Sequence, residues 1–194
     1  MRKKSVRNAT QVFEAELDAI ESFLTECAKL SKQHSSSAYD FGVIRLYRAF
    51  ERLMLEVLVG VMNNDTSTVS AAIGVPLPKH LTDEVCQYFV IGTGYFDFKG
   101  RDGLLQLLQR FLPADHWLVT TAKKAAYRRA LEQLAALRNF AAHSSTRAKT
   151  GAKSATGQQR ISSAGAWLKR QNRFSTMVKT LRLFARDIAQ SAPR

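Results

Sequence analysis

The chain has 194 residues, 45% of them hydrophobic, with only four prolines, which excludes a disordered polymer and fits one helix-rich domain with a sizeable core. Its two cysteines, Cys27 and Cys86, lie far apart without CxxC spacing, so no disulfide framework or zinc site is indicated and a reducing cytoplasm is the expected compartment. The net charge of +13 is one-sided: residues 1–100 hold 11 Lys/Arg against 12 Asp/Glu, whereas residues 101–194 hold 18 against 4, as expected for a nucleic-acid partner or an acidic protein.

The N-terminus is basic (Arg2, Lys3, Lys4, Arg7), but an acidic amphipathic stretch follows where a signal peptide would be apolar. From Asn8 to about Gln33, Phe13, Leu17, Ile20, Leu24 and Cys27 recur at helical spacing, with Glu14, Glu21 and Glu26 between them. Ser35-Ser36-Ser37 is expected to end this helix. A second runs from about Ala38 to Met62, with Tyr47, Phe50, Met54, Val57 and Val61 as its apolar face. Arg48–Glu51 and Arg52–Glu56 are spaced to support it by ion pairing. The apolar run from Leu53 to Met62 is interrupted by Glu56 and too short to span a membrane.

Asn63-Asn64-Asp65 stops the second helix, and a less regular segment follows to about Gly100. Within it a short helix is expected over Leu81 to Phe89, and Gly92-Thr93-Gly94 reads as a turn, lacking the strand–helix context of a nucleotide loop. Another helix covers Asp102 to Phe111. After Pro113, a long helix is predicted from Ala114 to His143, with Ala126, Ala130, Leu134, Leu137 and Ala141 at helical spacing. Residues 144–163, rich in Ser, Thr, Gly and basic side chains, read as a mobile basic loop. A last helix, about Ala164 to Gln190, buries Phe174, Met177, Leu181, Phe184 and Ile188 and sets Lys179, Arg182 and Arg186 on one face. The expected fold is an all-α, up-and-down bundle of four to five helices. The division is a helix over residues 1–37, packing on or extending the bundle, and a helical domain over residues 38–194.

The long helix closes on Leu137-Arg138-Asn139-Phe140-Ala141-Ala142-His143. Histidine exchanges protons near neutral pH, and arginine grips phosphate oxygens with a planar, permanently charged fork. Together they suit metal-free phosphodiester cleavage. On one helix, Asn139 and His143 share a face while Arg138 lies about 140° away around the axis. Arg138 and His143 therefore do not converge within one helix, but two copies related by a two-fold axis bring them together. A helix-capping histidine beside a structurally paired arginine is the plain alternative. Arg110 and His116 form a similar pair, interrupted by Pro113 and Asp115, and read as a helix–helix connection; His34, His80 and His116 read as structural or surface residues.

The pattern Arg-Asn-x-x-Ala-His of Arg138 to His143 resembles the signature of HEPN domains, a superfamily of helical bundles that includes many endoribonucleases. Tyr39 to Glu51 resembles the helix that opens the HEPN region of certain CRISPR-associated ancillary nucleases, and the resemblance spans roughly Ala38 to His143. It implies a homodimer whose paired motifs form a metal-independent ribonuclease centre with catalytic Arg138, Asn139 and His143. Those relatives carry a cyclic-oligonucleotide-sensing domain upstream, for which these 194 residues have no room. Toxin members of another branch carry a tyrosine two residues past the histidine, where this chain has Ser145.

By this reading the RNA 2′-OH attacks the adjacent phosphorus, His143 transfers protons and Arg138 stabilises the phosphorane oxygens. Asn139 orients His143 or positions the phosphate. Arg128, Arg129, Arg147, Lys149 and Lys153 would track the RNA backbone, the alternative being ordinary solvated charge. Arg48 and Glu51 would stand behind the site, or simply pair within their helix. No GxSxG, HExxH or P-loop occurs, and no cofactor or metal is expected. The expected role is a toxin or antiviral defence effector, with RNA, a second copy and a regulatory or neutralising protein as partners. The competing role is a non-catalytic basic helical module that binds nucleic acid or docks in a larger defence complex.

Overall fold

A computed structural model describes residues 5–143 and 145–193; Arg2, Lys3, Lys4 and Ser144 lie outside them. The described residues are all-α, with no β-strand among them. In chain order the helices are α1 (Val6–Glu26), α2 (Lys32–Asn64), α3 (Thr66–Ile73), α4 (Asp83–Ile91), α5 (Gly100–Gln109), α6 (Trp117–Lys123), α7 (Ala125–His143), α8 (Thr146–Thr156), α9 (Ala164–Leu168) and α10 (Arg173–Ser191). The four long helices α1, α2, α7 and α10 form the frame, each packed on two others in the cyclic order α1–α2–α7–α10. The shorter helices fill the long connection from α2 to α7 and the return to α10. None of the described helices is long and apolar enough to cross a membrane.

The apolar stripes read from the sequence face inward. Phe13, Leu17, Ile20 and Leu24 of α1 are buried, as are Tyr47, Phe50, Met54, Val57 and Val61 of α2 and Phe174, Met177, Leu181, Phe184 and Ile188 of α10. Residues from α1 to α10 share one hydrophobic cluster, so the N-terminal helix is part of the core rather than an appendage. Cross-helix ion pairs fix its direction. Arg45 meets Glu16 at 2.5 Å, Arg182 meets Asp18 at 2.7 Å and Glu21 at 3.2 Å, and Arg186 meets Glu14 at 2.8 Å. Higher numbers on α10 meet lower numbers on α1, so the two run antiparallel.

Several boundaries differ from the sequence expectation, each for a physical reason. The first break falls at Leu30–Ser31, where the Ser31 hydroxyl accepts from the His34 amide, and the Ser35-Ser36-Ser37 run lies inside α2. Serine in a first turn is tolerated because it bonds back to the backbone, as Ser36 Oγ does by donating to the Lys32 carbonyl. Asp65 ends α2 and caps α3 through its carboxylate, giving a helix in a segment expected to be irregular. The predicted helix from Ala114 to His143 is two helices, with Lys124 extended between them. Arg101 donates to the freed carbonyls of Ala122 and Lys123 and so stabilises the break from outside the segment. On α7, Tyr127 turns inward while Ala126 is exposed.

The basic loop expected over residues 144–163 is largely helical. Ser145 caps α8 by accepting from the Ala148 amide, and Gly157 ends it in the left-handed conformation at φ +67°. Ala152 and Thr156 are buried against α7, and the Gln133 amide donates to the Ala155 carbonyl at 3.1 Å. Small side chains let the two backbones approach closely, but they contribute little to a hydropathy pattern.

The last predicted helix is also divided. Between α9 and α10, Gln171 and Asn172 adopt φ of +54° and +53°. α9 is held against the start of α2: the Gly165 amide donates to Asp40 Oδ1 at 2.7 Å. A Cβ on Gly165 would stand 1.9 Å from the Ser36 carbonyl oxygen and 2.7 Å from the Asp40 nitrogen. Gly165→Ala must push α9 off α2 and is expected to cost about 1–3 kcal/mol, lowering Tm by on the order of 5 °C. Thermal unfolding followed by circular dichroism measures this, and an unchanged Tm would show that α9 does not sit there.

Candidate functional site

Arg138 and Asn139 lie in the last turns of α7 and His143 is its final residue. The three differ in environment. Arg138 lies half-buried with its guanidinium 4.6 Å from the Tyr47 ring centroid, in a cation–π contact across to α2. Its Nη1 donates to Asn139 Oδ1 at 2.8 Å. Asn139 is half-buried as well, whereas His143 is exposed. The Asn139 oxygen is thus engaged in steadying Arg138 rather than His143.

Tyr47 is 2% exposed, and its hydroxyl donates to the Phe98 carbonyl at 2.7 Å and approaches Asp97 Oδ1 at 3.5 Å. Burial, with Glu51 and Asp97 nearby, pushes the Tyr47 phenol far above its ordinary value, so the ring stays neutral. One turn further along the same face of α2 is Glu51. Burial pushes its carboxyl up to about 7; Arg138 opposes the rise, Asp97 adds to it and Arg48 opposes it more weakly. Arg48 and Glu51 do not close into the expected ion pair: Arg48 is exposed and Glu51 senses Arg138 more strongly. Glu51 therefore stands beside Arg138, and Arg48 faces away.

This buried support was only partly visible in the sequence. Tyr47 reads there as an ordinary core residue of the second helix, and Asp97 and Phe98 carry no motif at all. The available signal was the i,i+4 spacing that puts Tyr47 and Glu51 on one helical face.

The cations proposed to follow RNA are spread along the surface. Arg128 is exposed and paired with Glu132 at 2.9 Å, and Arg129 is exposed beside it. Both lie near the start of α7, with Arg129 about 21 Å along the axis from His143. Arg147, Lys149 and Lys153 are carried by α8, the first two exposed and the third half-buried. Because Ala155 meets Gln133, α8 doubles back along α7 and its cations run from the motif toward the middle of that helix. Two of the expected basic residues of α10, Arg182 and Arg186, are engaged by acids of α1.

The other histidines have separate places. His116 caps α6 by accepting from the Leu118 amide through Nδ1, and burial lowers its pKa; His34 and His80 are exposed. Gly92 ends α4 at φ +57°, consistent with a turn at 92–94. Among the described residues, no group of three or more His, Cys, Asp or Glu gathers where it could hold a metal ion. Compared with known proteins, the chain matches no family model, no curated relative and no solved structure.

Because the Glu51 carboxyl is raised from its ordinary 4.5 to about 7, the folded chain holds that proton more tightly than the unfolded chain between those values. The stability it contributes is present below about pH 4.5 and is lost as pH rises through about 7. Glu51→Gln abolishes this dependence, so the variant should gain stability relative to the parent between pH 5 and pH 8. Urea denaturation at both values measures the difference, and a pH-independent difference would assign the shift elsewhere.

Proposed function

We propose that the protein is a homodimeric, metal-independent endoribonuclease, acting as a toxin or antiviral effector, in which Arg138 of one copy and His143 of the other share a phosphodiester. The observation that carries this reading is the contrast within the motif. Arg138 is fixed by Tyr47 and Asn139, while His143 is exposed at the end of the same helix. A rigid arginine is suited to stabilising charge on a phosphorane, and an exposed imidazole is suited to exchanging protons with a bound strand. Their angular separation of about 140° on α7 makes a second copy the simple way to complete one centre.

In the reaction, the 2′-oxygen forms a bond to the adjacent phosphorus as its proton leaves to a general base. The bond from phosphorus to the 5′-oxygen breaks, and that oxygen receives a proton. His143 serves these transfers, Arg138 neutralises the non-bridging oxygens and Asn139 keeps the guanidinium in place. The products carry a 2′,3′-cyclic phosphate and a 5′-hydroxyl, and DNA is not cleaved. Arg147, Lys149 and Lys153 on α8 hold the flanking phosphates, with Arg128 and Arg129 further along α7.

RNA cleavage in excess EDTA tests the chemistry. Arg138→Ala and His143→Ala are each expected to lose at least about 100-fold, and full activity in either variant would overturn the centre. Mixing the two inactive variants tests sharing between copies. Subunit exchange makes half of the dimers mixed, each with one intact site, so about a quarter of the parental activity should return. A strictly monomeric protein by light scattering, or no recovery despite exchange, would overturn the shared site.

A further inference from the structure

On the side of α2 turned away from Tyr47, α1 and α2 enclose a cavity of about 570 Å³. Its α2 wall runs from Phe41 to Glu56, about 22 Å of helix. The floor is apolar, formed by Phe13, Ile44 and Leu53 among others, and the rims carry two large hydrophobic side chains left open, Val12 at 44% and Phe41 at 52% exposure. Along one edge, Arg45, Arg48 and Arg52 follow each other at spacings of three and four residues. Arg45 is met by Glu16 of α1 at 2.5 Å, whereas Arg48 and Arg52 are exposed and make no ion pair with another described residue.

We propose that this groove is a docking site for an acidic amphipathic helix of a partner protein. The chain already contains the interaction in miniature. Glu14, Glu16, Asp18 and Glu21 of α1 serve the arginines of α2 and α10, so helix-borne carboxylates are what satisfy helix-borne arginines across this fold. Arg48 and Arg52 continue the stripe begun by Arg45, one turn apart, beside the apolar floor, and the α2 wall of the groove is long enough for about four helical turns. A helix with apolar anchors at i, i+3, i+4 and i+7 and acids along one flank fills both requirements at once. A nucleic-acid strand fits less well, because its phosphates meet only the arginine edge and leave the apolar floor and the open Val12 and Phe41 side chains uncovered. The site is separate from the Arg138–His143 motif and does not depend on the ribonuclease reading.

The test uses the full chain and a fluorescein-labelled synthetic amphipathic peptide of about 16 residues, leucines on one face and glutamates on the flanks. Fluorescence anisotropy should give a Kd on the order of 10 µM. Arg48→Glu with Arg52→Glu should weaken this at least about tenfold and strengthen binding of the same peptide with lysine in place of glutamate. Arg48→Gln with Arg52→Gln repeats the loss without charge reversal, and circular dichroism verifies that each variant is folded. Val12→Ser with Phe41→Ser should weaken the glutamate peptide as well. Absence of binding below about 100 µM, equal binding by the charge-reversed protein, or preferential displacement of the peptide by oligouridylate would overturn the proposal.

Discussion

Phe50, fully buried near the middle of α2, is the contact on which the frame depends. Its ring lies 6.2 Å from Phe13 of α1, 5.6 Å from Phe184 of α10 and 5.8 Å from Phe98 in the segment before α5. Phe184 in turn stands 5.1 Å from Tyr127 of α7. All four long helices are thereby linked through one aromatic chain, mostly in the edge-on or tilted arrangements that such rings favour. The same chain reaches the candidate site. Phe98 packs on Phe50 and on Tyr47, its carbonyl receives the Tyr47 hydroxyl, and the Tyr47 ring supports Arg138. Core packing and the placement of the motif are therefore one problem for this chain.

Charge is distributed differently in space than along the sequence. The near-neutral first half and strongly basic second half read as two electrostatic regions, but α1 lies antiparallel on α10 and its acids engage Arg182 and Arg186. Lys124 is likewise tied to Asp187 at 2.7 Å. Other cations stay exposed along the whole chain, among them Arg48 and Arg52 of α2, Arg129 of α7, Arg147 and Lys149 of α8, and Lys29, Lys79, Arg110 and Arg170 elsewhere. Exposed pairs of this kind stabilise little, typically less than about 1 kcal/mol each. Their larger effect is to select which arginines stay open to an incoming partner.

The motif at the end of α7 has unequal parts. Arg138 and Asn139 are built into the contact between α7 and α2, and Glu51 lies beside them with a proton it releases only near neutrality. His143 has no such enclosure. The proposed phosphodiester chemistry would use that contrast, since a fixed positive charge lowers the cost of a pentacoordinate phosphorus and a proton carrier must reach solvent and substrate. Glu51 adds a variable to the arginine's field: neutral below about pH 7 it leaves the positive charge unopposed, and ionised above that value it offsets it.

The sequence by itself determined the helical class, the inward stripes of α1, α2 and α10, and the motif helix, because each rests on a 3.6-residue period that any burial of that face must respect. It offered Arg48 and Glu51 together as neighbours of the motif, with an ion pair inside α2 as the alternative, and did not tell which of the two would face Arg138. Only the tertiary structure decided the rest. Lys124 breaks the α6–α7 run because Arg101, distant in sequence, takes the freed carbonyls. Residues 146–156 coil into α8 because their alanines and threonines fit closely against α7, a contact with almost no hydropathy signal of its own. Arg138 faces Tyr47, and Arg182 faces α1, because helix–helix packing brings those faces together; a local repeat defines which residues share a face but not what that face will meet.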